Sequence, residues 1–209
     1  FNYVGTELDY IAPGAVAAQN ALPTKIARNV DMPDGSIATQ IVQRKYNSMG
    51  NMIESIDPLG RKTVFTYAPD EIDLIEVSQI GSGGPQRLLT ATYNAKHLPL
   101  TVSGADGQAT TYTYNANGQV LTVTNPLGAI TTFTYNSVGQ LVTLDGPLSG
   151  MSDESTFTYD LFGNLRTATD GEGYALTFTR DALQRLTKVE FPDATTIENT
   201  YCLLYTSDA

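Results

Sequence analysis

The stretch Tyr114 to Tyr135, YNANGQVLTVTNPLGAITTFTY, decides the fold. Asn115-Ala116-Asn117-Gly118 is a turn: an Asn side chain at the first place can bond its own backbone, and Gly118 supplies the positive φ that a hairpin reversal needs. Gln119 to Thr124 follows as a strand, with Leu121 and Val123 on one face and Val120, Thr122 and Thr124 on the other. In Asn125-Pro126-Leu127-Gly128 the Asn, Pro and Gly occupy the first, second and fourth places of a type I turn. Ala129 to Tyr135 is the return strand, alternating Thr131, Phe133 and Tyr135 against Ile130, Thr132 and Thr134. One unit is therefore a β-hairpin plus the turn into the next.

Outward from this stretch the unit recurs. Laid out on tyrosine, the chain shows Tyr46, Tyr67, Tyr93, Tyr114, Tyr135, Tyr159 and Tyr201, with Arg180 in the slot between the last two. The steps are 21, 26, 21, 21, 24, 21 and 21 residues, so the basic period is ~21 with two insertions. The turn after the tyrosine returns with its glycine as Gly50, Gly139 and Gly163, and the second turn returns as Asp57-Pro58-Leu59-Gly60 and Asp170-Gly171-Glu172-Gly173. The insertions, around Ser82-Gly83-Gly84-Pro85 and from Ser149 to Asp153, fall where hairpin loops can grow without disturbing the strands.

A lone hairpin is marginal in water, so stability has to come from stacking several. The aromatic two residues before a repeat tyrosine is Phe65, Tyr112, Phe133 or Phe157, and the expected main source of cohesion is a ladder of these ring pairs from hairpin to hairpin. The prediction is an all-β fold of tandem ~21-residue hairpins forming a continuous, antiparallel, twisted sheet over residues 22–201. Residues 1–21 are an irregular N-terminal segment, in which Ala15 to Ala21 invites a short helical turn, and residues 202–209 are a non-repeat tail.

Lys and Arg total 12 against 22 Asp and Glu, a net charge of -10, which speaks against a phosphate-backbone partner and hence against nucleic acid. The 41% apolar content is ample for a core in a chain of 209 residues. A single cysteine and a single histidine leave no internal disulfide and remove most parts of a zinc or nucleophile–base arrangement. No apolar run reaches the ~18 residues of a membrane span. No signal peptide lies within the chain, which starts at Phe1 with its first methionine at Met32 and reads as a piece of a longer protein.

The pattern Tyr-Asn/Asp-x-x-Gly-Asn/Gln-Leu, followed by Asp/Asn-Pro-x-Gly and Phe-Thr-Tyr, resembles the YD repeat of bacterial Rhs proteins, which also occurs in wall-associated proteins, in the B and C components of insecticidal toxin complexes and in teneurins. Tyr114 to Gln140 and Tyr159 to Leu165 match with spacing intact. Departures are Tyr67-Ala68-Pro69-Asp70-Glu71, which lacks the turn glycine, Arg180 for Tyr, and His97 for Gly. The resemblance implies a sheet strip wound into a hollow shell of a bacterial secreted or cell-surface protein, enclosing a C-terminal toxin that a separate Rhs-core segment releases. The partners implied are the remainder of its own longer chain: neighbouring repeats, the Rhs-core and the toxin segment. The signature positions are Tyr46, Gly50, Tyr67, Tyr93, Tyr114, Gly118, Tyr135, Gly139, Tyr159, Gly163 and Tyr201.

No catalytic, cofactor-binding or metal-binding residue emerges. His97 occupies the turn-glycine slot and reads as a turn residue, since His tolerates the left-handed region better than most. Asp70, Glu71, Asp73 and Glu76 could together hold Ca²⁺, but they lack the alternating spacing of a calcium loop and read as a solvated edge. Asp57, Asp160 and Asp170 each have a turn to form, which leaves no spare carboxylate pair for glycoside hydrolysis. There is no Gly-x-Ser-x-Gly elbow, and Gly81-Ser82-Gly83-Gly84 has no Lys-Ser/Thr behind it. Exposed tyrosines and threonines on a sheet suit carbohydrate, so sugar binding is the alternative to a structural role.

Overall fold

The computed structural model describes residues 22–201 apart from 82, 149, 151 and 152. The expected N-terminal helical turn and the 202–209 tail lie outside the described residues. Residues up to Thr111 form one compact unit and those from Tyr112 a second. The first unit holds β1 (Lys25–Asp31), β2 (Ile37–Tyr46), β3 (Met52–Ile56), β4 (Lys62–Tyr67), β5 (Leu74–Gly81), β6 (Gly84–Tyr93) and β7 (Pro99–Gly104). β8 (Ala109–Tyr114) spans the boundary. The second unit continues with β9 (Val120–Thr124), β10 (Ile130–Tyr135), β11 (Leu141–Asp145), β12 (Glu154–Tyr159), β13 (Leu165–Thr169), β14 (Ala175–Arg180), β15 (Leu186–Glu190) and β16 (Thr196–Glu198). The fold is all-β, and the sixteen strands are hydrogen-bonded in chain order as an antiparallel sheet.

Period-2 alternation separates two faces, because directly paired residues point the same way. In the second unit Thr132 faces Thr122 and Asp145, Thr134 faces Thr143, Thr158 faces Thr167 and Thr177 faces Glu190, which makes one face hydroxylic and charged. The other face sets Phe133 against Leu144, Phe157 against Ala168 and Phe178 against Val189. In the first unit Phe65 likewise faces Val77. The expected ring ladder is thus interleaved: rings of successive repeats stand two strands apart, about 9.6 Å, beyond the 4.5–7 Å of a ring pair. An aliphatic residue on the following strand faces each ring instead.

Both turns of the repeat have the same structure. Gly118 N–H donates to Asn115 C=O (3.0 Å), Asn115 N–H to Gln119 C=O (2.9 Å), and Asn115 Oδ1 accepts from the N–H of Asn117 and Gln119. The turn at Asn125 repeats every one of these bonds, with Gly128 at φ 81°. This is a type I turn closed by a left-handed residue, and the register shift recorded beside each repeat tyrosine is the accompanying bulge. Where the first place has no Asn or Asp, an acid two residues later serves: Asp34 after Met32, Asp106 after Gly104 and Asp193 after Phe191. The departures keep the geometry, since Glu71, His97, Gln184 and Ala194 sit at φ 61°, 59°, 64° and 62° in the glycine place. Arg180 holds the tyrosine place with the usual shift between Thr179 and Arg180.

The described residues form no dense core, contrary to what the apolar content suggests. Among the described residues the only buried hydrophobic is Ala91, at 5% exposure, and no large side chain is fully buried. A sheet that does not pack its face on a second layer leaves both faces partly wet, so most strand residues are half-buried. A Cβ at Gly128 would meet nothing within 4 Å, so Gly128→Ala tests backbone strain alone. It should cost about 1 kcal/mol in urea unfolding, and Ala194→Gly should gain a similar amount. A stabilising Gly128→Ala would contradict the left-handed turn.

Candidate functional site

The repeat residues converge on the contacts between hairpins. Repeat tyrosines that end even-numbered strands turn their hydroxyls onto the backbone carbonyl that opens the preceding strand. Tyr67 donates to Met52 (3.2 Å), Tyr93 to Leu74 (3.0 Å), Tyr135 to Val120 (2.9 Å) and Tyr159 to Leu141 (2.8 Å). Tyr201, just after β16, does the same to Leu186 at 2.8 Å, and Tyr46 reaches Pro23 at 3.2 Å, ahead of β1. Tyr114 ends β8 in the equivalent place. Each bond satisfies a carbonyl at a strand start, beside the turn where the ladder stops. Burial holds the hydroxyls of Tyr67, Tyr93 and Tyr114 above the usual phenol range.

A second set of links joins successive tyrosine-side turns along one rim. Gln119 Nε2 donates to Gly139 C=O (2.6 Å), Gln140 Nε2 to Gly163 C=O (3.0 Å) and Asn51 Nδ2 to Glu71 C=O (2.8 Å). Asn164 Nδ2 reaches Gln184 Oε1 at 2.9 Å. In each case an amide on the residue following one turn's left-handed place grips the left-handed residue of the next turn. The sequence signal is the Asn or Gln after Gly50, Gly118, Gly139 and Gly163, whose partner only the structure identifies. On the hydroxylic face, threonines pair across strands: Thr92 with Thr101 (2.7 Å), Thr113 with Thr122 (2.7 Å), Thr158 with Thr167 (2.6 Å) and Thr134 with Thr143.

The acidic residues divide between these tasks. Asp57 Oδ1 accepts from the N–H of Leu59 and Arg61, Asp160 Oδ1 from Phe162 and Asn164, and Asp170 Oδ1 from Glu172 and Tyr174. The acidic run does not act as one cluster. Glu76 turns away to Ser78 (2.6 Å) and Arg87 (3.1 Å), and Glu71 bonds the Ser48 hydroxyl. Asp70 and Asp73 instead converge on His97: its Nδ1 lies 3.1 Å from both oxygens of Asp73 and 3.7 Å from Asp70 Oδ2. With Ile72 as one extra residue, Asp73 takes the rim place held by Gln119, its C=O accepting from Ala68 N–H as that of Gln119 does from Asn115 N–H, and His97 takes the left-handed place held by Gly139. This link is therefore the ionisable form of the amide grip, a second role for His97 that its turn position does not disclose.

Several turn acids are held below the ordinary carboxylate range. For Asp181 the cause is the Arg185 side chain, for Asp34 the Ser36 hydroxyl and for Asp193 the Thr195 hydroxyl. At Asp57 desolvation pulls upward and is outweighed by the combined bonds from Arg61 and Leu59. A folded-state pKa below the unfolded one means stability that is present above about pH 4 and lost as pH falls through the folded value. Thermal melts from pH 6 to pH 2 should therefore show Asp57→Asn and Asp181→Asn losing less stability with acid than the parent. Parallel profiles would contradict the assignment. Tyr135→Phe should cost about 1–2 kcal/mol in urea unfolding by orphaning the Val120 carbonyl, and no loss would mean that water replaces the hydroxyl.

Comparison with known proteins follows the same repeats. The model of the RHS repeat family matches residues 93–128, 114–150 and 153–196. No curated protein matches the chain. Among solved structures, the TcdB2-TccC3-Cdc42 crystal structure superposes with a TM-score of 0.62 at 17% identity, over 77% of this chain and 10% of that one. A Tc holotoxin pore of Photorhabdus luminescens gives 0.61 at 17% identity, over 78% and 10%. The TcdB2-TccC3-TEV structure gives 0.60 at 18% identity, over 79% and 10%. The chain spans about a tenth of the length of these structures, and at such identity they show the fold.

Proposed function

We propose, from the premise that this chain is an RHS-repeat protein, that its repeats are a wall segment of a larger secreted protein which encloses a C-terminal toxin or effector. The supporting observation is the recurring link pattern. Repeat tyrosines, turn acids and rim amides are engaged in joining one hairpin to the next, which suits a load of structure rather than chemistry. In this reading the segment is not an enzyme, and its partners are the neighbouring repeats, the core segment and the cargo of its own longer chain. Likeness to the Tc toxin structures agrees with it. Among the described residues no helix is long and apolar enough to cross a membrane.

A sheet with one hydroxylic and one apolar face offers two different surfaces to the two sides of a wall. The hydroxylic face also favours a second reading, a carbohydrate-binding module at the cell surface, because Thr92, Thr113, Thr134 and Thr158 are exposed. The shell reading is tested on the full-length reading frame that contains this chain. Limited proteolysis should spare the segment downstream of the repeats in the intact protein and digest it once residues 93–196 are deleted. Equal digestion of both would contradict enclosure. On a glycan array the 209-residue chain should show no saturable binding; binding abolished by Thr134→Val would establish the second reading.

A further inference from the structure

We infer that Asp70, Asp73 and His97 form a binding site for a divalent first-row transition-metal ion, with zinc the best match. All three offer ligand atoms within 4.8 Å of one another. Around a tetrahedral ion with bonds of about 2.1 Å, neighbouring ligand atoms stand about 3.4 Å apart. The observed 3.1 Å from His97 Nδ1 to Asp73 and 3.7 Å to Asp70 bracket that spacing. Both distances lie within ion-pair range, and a shared ion would take the place of that contact.

The donor set selects the metal. One imidazole nitrogen with two carboxylates suits zinc and its first-row neighbours, while calcium and magnesium prefer oxygen alone. Two carboxylates and a neutral imidazole carry a charge of about -2, which a dication neutralises. Asp73 is buried, so the ion would be partly shielded from water, and Asp70 and His97 are exposed enough to give it a way in. The backbone already holds the ligands: Asp70 Oδ1 accepts from the N–H of Ile72 and Asp73, which leaves Oδ2 free to face His97. Metal binding requires His97 to carry its proton on Nε2, which leaves the Nδ1 lone pair for the ion. Three protein ligands leave the fourth position to water.

The ion would tie the turn of residues 68–73 to that of residues 94–97, which is where the other repeats use an amide. The test uses the untagged 209-residue chain with Cys202→Ser, stripped by a chelator and titrated calorimetrically with Zn²⁺. One equivalent should bind, the melting temperature should rise, and Co²⁺ in its place should show the visible bands of a tetrahedral site. Ca²⁺ at the same concentration should do neither. His97→Gly installs the residue that Gly118 and Gly139 supply in the same place, so circular dichroism should be unchanged while zinc affinity drops by tenfold or more. Asp73→Asn should give a similar drop. Absence of stoichiometric binding, or binding that survives His97→Gly, overturns the site.

Discussion

Among the described residues every turn beside a repeat tyrosine depends on one reversal, in which the fourth residue of the turn enters the left-handed region and an Asn or Asp oxygen gathers the free backbone N–H groups. This reversal fixes the register of the strands on either side and creates the bulge beside the repeat tyrosine. That bulge in turn lets Tyr135 and its counterparts reach the carbonyl that opens the preceding strand. The turn is strong enough as a geometric demand that four non-glycine residues accept positive φ to satisfy it.

Repetition stands in for burial. Ala91 is the one buried hydrophobic among the described residues, so no inner layer of side chains organises either unit. Cohesion is spread over many modest contacts: tyrosine hydroxyls on carbonyls, amides along the rim, threonine pairs on one face and interleaved rings and aliphatics on the other. Each is worth on the order of 1 kcal/mol, and their sum grows with the number of repeats. Such a sheet suits a thin wall, because it presents two chemically distinct faces and extends by adding identical units. The net charge of -10 follows from the same economy, since much of it is carried by turn acids such as Asp57, Asp160, Asp170 and Asp181.

Much of this was legible in the sequence because the information is local. Asn115 and Gly118 specify their turn within four residues, and the alternation of Thr131, Phe133 and Tyr135 assigns the faces. The spacing of the rings was not legible, since distance along the chain does not reveal that β11, with Leu144 opposite Phe133, stands between the strands that carry Phe133 and Phe157. The tyrosine hydroxyl bonds and the Gln119-to-Gly139 grip were out of reach for a related reason: the partner lies about fifteen to twenty residues away and is a backbone carbonyl, which has no residue type to recognise. His97 illustrates the limit best. Its slot was readable, but its meeting with Asp70 and Asp73 requires two turns to be side by side.

The heat capacity of unfolding tests the central claim most directly, because it reports the apolar surface that folding removes from water. Domains with an ordinary core give about 12–15 cal/mol/K per residue. A sheet held by repeated polar links and half-buried side chains should fall clearly below that range in differential scanning calorimetry of the 209-residue chain. A value within it would mean that the chain packs an apolar core after all, and would contradict the account.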